Sequence, residues 1–241
     1  MMEGMIGAAR FAAGVTLSLA FGLIELLCLP IRRKSGIVFH ALARAWAHAI
    51  IFLCGSPVTV RGIEKLDRSR NYVYVANHAS MFDIPAIIAS VPDQIRIVYK
   101  KELEWIPLFG WGLKWGNYIG IDRGLGPEAL RSIDEAVRTI HNGASVLLYA
   151  EGTRTKDGKL QPFKRGAFNL AARSGIPVVP LTINGTFNIL PKGSMVVKPH
   201  PVEIVLDDPI PIGGEGKPAE MKLMDLVHRA IQNNYVDQSG S

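Results

Sequence analysis

Cysteine is nearly absent: 241 residues carry only Cys28 and Cys54, each inside an apolar segment. That excludes a disulfide framework and a cysteine-ligated metal, and it makes a reducing compartment the default. The six histidines (40, 48, 78, 141, 200 and 228) show no metal-ligand spacing, so no metal is expected. Internal repeats and low-complexity tracts are also missing. No small-x-small cleavage site ends the long apolar run near the N-terminus, which argues against a secretory signal. Acidic residues are in deficit, 21 against 27 basic, for a net charge of +6 and a pI near 9.4. Such a balance favours an anionic partner: nucleic acid, an acidic membrane or a phosphorylated substrate. Basic patches with interleaved aromatics are lacking, and mean hydropathy is positive at +0.18. Lipid therefore ranks first and nucleic acid last.

What is present begins with an apolar run from Phe11 to Pro30, broken by small hydroxyl residues and Glu25 and flanked by Arg10 and Arg32-Arg33-Lys34. At about 20 residues it is long enough to cross a bilayer. From Ile37 to Leu53, His40, Arg44 and His48 recur at every fourth position, while Leu42, Trp46, Ile50 and Phe52 fill much of the remaining surface. A polar stripe on an apolar helix predicts a segment lying in the membrane interface. If the basic triplet stays cytoplasmic, a second crossing would put the rest of the chain outside, so at most the first helix crosses. Residues 1–54 are expected to be a membrane-associated helical pair, and residues 55–241 a catalytic domain on the cytoplasmic face.

From Ser56 the texture changes to alternating strands and helices. Val58–Val60, Tyr72–Val75, Ile95–Tyr99, Tyr118–Ile121, Ser145–Tyr149, Val178–Ile183 and Val202–Leu206 read as strands. Helices are expected through about Ser90, briefly over Ile106–Trp115, from Gly126-Pro127 to Asn142-Gly143, from Gly166 through Arg173, and from Ala219 to about Asn233. The tail from Asp237 onward reads as frayed. This pattern predicts an α/β fold: a mixed, largely buried sheet flanked by helices, with the N-terminal membrane-associated helical pair attached.

Three strand ends carry the chemistry. Asn77-His78-Ala79-Ser80-Met81-Phe82-Asp83 follows the second strand, so His78 lies on a strand-to-helix turn with Asp83 in the first helical turn. On a continuous helix those two side chains would diverge by about 140°, but across a turn they can meet. A carboxylate beside an imidazole fixes its tautomer and makes a general base. Gly120-Ile121-Asp122-Arg123 and Glu151-Gly152-Thr153-Arg154 end two further strands. Ligands of open α/β sheets bind outside such ends. Arg123 and Arg154 would give the site two planar cations suited to phosphate, with Lys164 and Arg165 adding charge beside a helix start.

Asn77-His78 to Asp83 matches the NHxxxxD motif and resembles that of the glycerolipid acyltransferases, the 1-acylglycerol-3-phosphate acyltransferase family. The segment Lys100-Lys101-Glu102-Leu103 is similar to the basic stretch before that family's second block, and Gly120 to Arg123 to the block itself. Glu151 to Arg154 with Phe163-Lys164-Arg165-Gly166 resembles the third block, and Val179 to Ile183 the fourth. The likeness runs from about residue 56 to 212. It implies transfer of a fatty acyl group from acyl-CoA or acyl carrier protein to the sn-2 hydroxyl of lysophosphatidate, giving phosphatidate. His78 would be the base, oriented by Asp83. Lys100 or Lys101, or backbone amides, would serve the oxyanion. Arg123 and Arg154 would hold phosphate, with Gly152 and Thr153 in the same loop and Glu151 orienting Arg154. The thioester is a cosubstrate and no cofactor is implied. An acceptor such as glycerol 3-phosphate or a non-phosphate lysolipid fits the same motifs. A catalytically silent lipid-binding protein would need neither His78 nor Asp83.

Overall fold

A computed structural model describes residues 2–28, 36–106, 109–116, 118–122, 127–141, 143–214 and 216–238. Seven strands form one sheet: β1 (Val58–Arg61), β2 (Val73–Ala76), β3 (Ile95–Lys100), β4 (Ile119–Ile121), β5 (Ser145–Tyr149), β6 (Val178–Asn184) and β7 (Val202–Leu206). Their order is β1-β7-β6-β2-β5-β3-β4. The five strands from β6 to β4 are mutually parallel; β7 runs antiparallel to β6, and β1 runs parallel to β7. The sheet is thus mixed, as the sequence predicts. All seven expected strands are there.

Helices cover both faces, which is why β2 is apolar throughout, β6 is interrupted only by Thr182 before its terminal Asn184, and both are fully buried. On β2, Tyr74 and Ala76 face α2 (Ile37–Cys54) and α3 (Asp83–Ser90), in a core shared with Ala47, Ile87, Leu147 and Ile183. Val73 and Val75 face the opposite core, built with α5 (Pro127–His141), α6 (Arg165–Ser174) and α8 (Gly216–Asn234). The expected short helix is α4 (Phe109–Trp115).

The two N-terminal helices are present and pack on the body of the protein. α1 (Met2–Leu27) spans about 39 Å at the usual helical rise, enough for a bilayer, yet it lies along the body of the protein. The Val197 N–H donates to the Gly7 carbonyl (3.1 Å), Gly14 sits against Ile50 and Leu53, and Trp46 Nε1 donates to Ser18 Oγ (3.0 Å). A Cβ on Gly7 would come within 2.5 Å of the Val196 side chain, so the close approach depends on glycine. The polar stripe of α2 does not form one solvent-facing band. His40 is buried, only His48 is exposed, and Arg44 donates to the Val91 and Ala89 carbonyls at 2.9 and 3.0 Å. The guanidinium satisfies carbonyls left open at the C-terminus of α3, a use that favours a cation there.

The tail is described only to Gln238, and residues 239–241, part of the stretch expected to fray, lie outside the described residues; Gln238 itself is held. Gln238 is buried, and its Oε1 accepts from the Gly185 and Phe187 N–H groups at 3.0 and 3.2 Å, capping the short α7 (Thr186–Ile189). Tyr235 Oη donates to the Gly158 carbonyl at 2.7 Å. Side-chain caps from a distant segment leave no local periodicity to read.

Candidate active site

β2 ends at Ala76, and the next two residues leave the ladder in different ways. Asn77 continues the sheet with its side chain: Nδ2 donates to the Ile183 carbonyl (2.9 Å) and Oδ1 accepts the Ile183 N–H (2.8 Å). This bridge to β6 frees the backbone to turn. His78 then stands at the strand end, its side chain 16% exposed. Its Nδ1 lies 2.6 Å from Asp83 Oδ2, which also accepts the Ala79 and Ser80 N–H groups at 2.9 and 3.0 Å. Asp83 is fully buried at the first residue of α3. With Nδ1–H donating to the carboxylate, Nε2 is left as a bare lone pair, the form a proton acceptor needs.

The loop after β5 clasps the same histidine. The β2/β5 register places Ala76 beside Tyr149. The Tyr149 ring stacks on the His78 imidazole, with centroids 3.8 Å apart and planes 15° from parallel. The His78 N–H donates to Glu151 Oε1 (2.7 Å), and the His78 carbonyl accepts the Thr155 N–H (2.9 Å). Glu151 is buried, and its Oε2 accepts the Gln161 N–H at 3.1 Å. Burial pushes its carboxyl up to about 7, against the pull of those two amide donors. Glu151, expected to orient Arg154, instead braces the main chain of His78 and Gln161, because local spacing says nothing about which backbone a buried carboxylate meets.

Cations gather across this loop. Gly152 adopts φ +69°, and a Cβ there would lie 3.0 Å from Lys164 Cδ, so the lysine stem runs directly over the glycine. Lys192 Nζ donates to Thr153 Oγ1 at 3.1 Å. Ser80 Oγ donates to the Leu190 carbonyl (2.8 Å), tying the Lys192 segment to the His78 loop. Arg154, Lys164 and Lys192 form no ion pair with a described residue. Lys192 was not singled out from the sequence, and only the fold brings it to Thr153. Lys100 pairs with Glu102 (2.9 Å) and Lys101 is exposed, both at the C-terminal end of β3, one strand beyond β5. Neither contacts His78. Arg123 lies outside the described residues. Cys54 is a buried core thiol pushed up to about 11 by desolvation, unsuited to nucleophilic work.

A family profile described as Acyltransferase matches residues 57–184, from just before β1 to the end of β6, and so takes in the whole His78 cluster apart from Lys192. The chain belongs to the acyltransferase family. Among curated proteins it is similar to 1-acyl-sn-glycerol-3-phosphate acyltransferases of Cocos nucifera (32% identical over 84% of this chain and 66% of that protein) and Limnanthes douglasii (34% identical over 83% of this chain and 71% of that protein). Its fold matches the crystal structure of the 1-acyl-sn-glycerophosphate acyltransferase PlsC from Thermotoga maritima, with a TM-score of 0.82 and 26% identity over 97% of this chain and 95% of that one.

Proposed function

We infer that the protein transfers a fatty acyl group from a thioester to the sn-2 hydroxyl of 1-acylglycerol 3-phosphate, giving phosphatidate. The observation that carries this reading is the His78–Asp83 contact of 2.6 Å, next to a loop that carries Arg154 and is met by Lys164 and Lys192, none of them ion-paired with a described residue. Nε2 takes the hydroxyl proton as the acceptor oxygen attacks the thioester carbonyl. Asp83 holds the tautomer and stabilises the imidazolium. The tetrahedral intermediate collapses with cleavage of the C–S bond, and the leaving thiolate takes the proton back from His78. No protein group becomes acylated. Arg154, Lys164 and Lys192 hold the acceptor phosphate, and an acceptor without phosphate leaves them unpaired. Coenzyme A and acyl carrier protein present the same thioester to this site.

The outer side of α1 supports action at a membrane. Val15, Leu19 and Leu23, four residues apart, are exposed, as are Met5 and Leu27, and Phe52 at the end of α2 is exposed too. A helix docked along one side and apolar on the other fits the plane of an interface rather than a crossing. The basic residues at 32–34 favour the cytoplasmic leaflet.

The test is thiol release from palmitoyl-CoA and from palmitoyl-acyl carrier protein, with and without 1-acylglycerol 3-phosphate. Release that depends on the acceptor, and that falls by at least about a hundredfold in His78→Ala, is expected. Acceptor-independent release would instead mark a thioesterase. Flotation with anionic vesicles checks the membrane reading; a chain that stays at the bottom of the gradient refutes it.

A further inference from the structure

We propose that Tyr149 is a positioning residue for the base, acting through the face of its ring; this rests on the base role inferred above for His78. The Asp83 contact fixes one atom of the imidazole, Nδ1. A single hydrogen bond leaves the ring free to rock about the line joining its two partners, and that rocking swings Nε2 away from an attacking hydroxyl. The Tyr149 ring removes this freedom, because it lies 3.8 Å away and nearly parallel over the imidazole. One contact sets a point and the other sets a plane, and together they aim the Nε2 lone pair.

The hydroxyl of Tyr149 is not what the position uses. It is buried and has no hydrogen-bond partner among the described residues, an unfavourable state for a polar group. Burial, followed by the Asp83 carboxylate, also drives its ionisation far upward, which leaves the phenol without acid–base work. What remains is the π face. As His78 takes up the proton it becomes a cation lying over that face, and an aromatic ring attracts a cation more than it attracts a neutral ring. The stack therefore strengthens as the reaction proceeds, and the gain falls on the chemical step rather than on binding.

The geometry also explains why the residue stands where it does. Tyr149 is the last residue of β5, paired in register with Ala76, two residues before His78. It belongs to the face that packs on the core with α2 and α3, so its ring is held from behind by that core. Such a platform is as rigid as the central sheet, which is what a group aimed to within a few tenths of an ångström requires.

The experiment compares kcat and KM for both substrates in wild type, Tyr149→Leu, Tyr149→Phe, His78→Ala and the double variant His78→Ala/Tyr149→Leu, with melting temperatures for each. Leucine keeps apolar bulk and removes the ring; kcat is expected to fall about thirtyfold with both KM values within about twofold. Phenylalanine is expected to recover at least tenfold of that loss, since it restores the ring alone. In the His78→Ala background, Tyr149→Leu is expected to change residual turnover by less than about twofold, because residues acting as a unit are not additive. Should the leucine variant melt early, Tyr149→Met supplies the same ringless comparison with a flexible side chain.

Three results would overturn the inference: kcat within about threefold of wild type in the ringless variants, equal losses for leucine and phenylalanine, or losses carried by KM. An inactive His78→Ala beside fully active ringless variants removes the Tyr149 role and leaves the base intact. A His78→Ala enzyme close to wild type removes the base reading itself.

Discussion

The backbone N–H of His78 donates to Glu151 Oε1 at 2.7 Å, so two segments 73 positions apart meet at the main chain of His78 itself. Glu151 carries a pH signature with it. Its carboxyl is pushed from 4.5 up to about 7 in the folded protein, chiefly by burial. The folded state therefore keeps a proton that the unfolded chain releases near 4.5, and stability falls as pH rises from there to about 7, then levels. The loss is on the order of 3 kcal/mol. Glu151→Gln cannot titrate. The difference in unfolding free energy between wild type and this variant, measured in urea from pH 4.5 to 8, is expected to change across that window. Parallel curves would show that burial does not raise the Glu151 carboxyl.

Asn77 replaces a stretch of sheet ladder with its own amide, exchanging two hydrogen bonds with the Ile183 backbone. Asn77→Ala leaves a buried N–H and a buried carbonyl without partners and should cost about 2–4 kcal/mol. Denaturant unfolding gives the stability directly. Because the same bridge places His78, kcat should fall as well, even at temperatures where the variant is folded.

On the phosphate-binding role proposed above, the cations at the Gly152–Thr153 loop act on one substrate only. Alanine at Arg154, Lys164 or Lys192 should raise KM for 1-acylglycerol 3-phosphate roughly tenfold or more, with little change for the thioester donor. Monoacylglycerol, which has the hydroxyl but no phosphate, provides the comparison. A variant that impairs it equally has lost something other than a phosphate contact.

At Gly7, α1 lies tight against the segment before β7, and the Gly7 carbonyl accepts the Val197 N–H. Gly7→Leu would drive a side chain into Val196 and lift the start of the helix. Limited proteolysis within residues 2–20 should become faster in detergent solution, while the melting of the sheet changes little. Unchanged proteolysis would mean that the helix is held by its later contacts at Ile50 and Trp46.

Strands and the His78–Asp83 pair were legible because both are local. Apolar runs bounded by turns give the strands, and five residues across a strand-to-helix turn bring the imidazole to the carboxylate. β2 starts one residue later than the apolar run suggests, since the Tyr72 N–H donates to Ser145 Oγ. What stayed hidden depends on register and on chain returning from elsewhere. Tyr149 meets His78 only because β2 and β5 pair with Ala76 opposite it. Lys192 reaches Thr153 from the far side of α7, and Gln238 caps that helix from the tail. The four-residue rhythm of His40, Arg44 and His48 was real, but Arg44 turned inward to carbonyls that no helical pattern reveals.

The position of β1 has a consequence for the order of events during synthesis. β1 pairs with β7 alone, Val58 opposite Val202, and the inner face of α2 shares its core with Val202 and Ile204. When α1 and α2 leave the ribosome, the strand that completes their seat has not yet been made. Until then α1 and α2 have each other and α3 to pack on, and the rest of their seat is missing. On the membrane reading proposed above, lipid is available to them before β7 is, and the nascent chain would meet the bilayer before its sheet is complete.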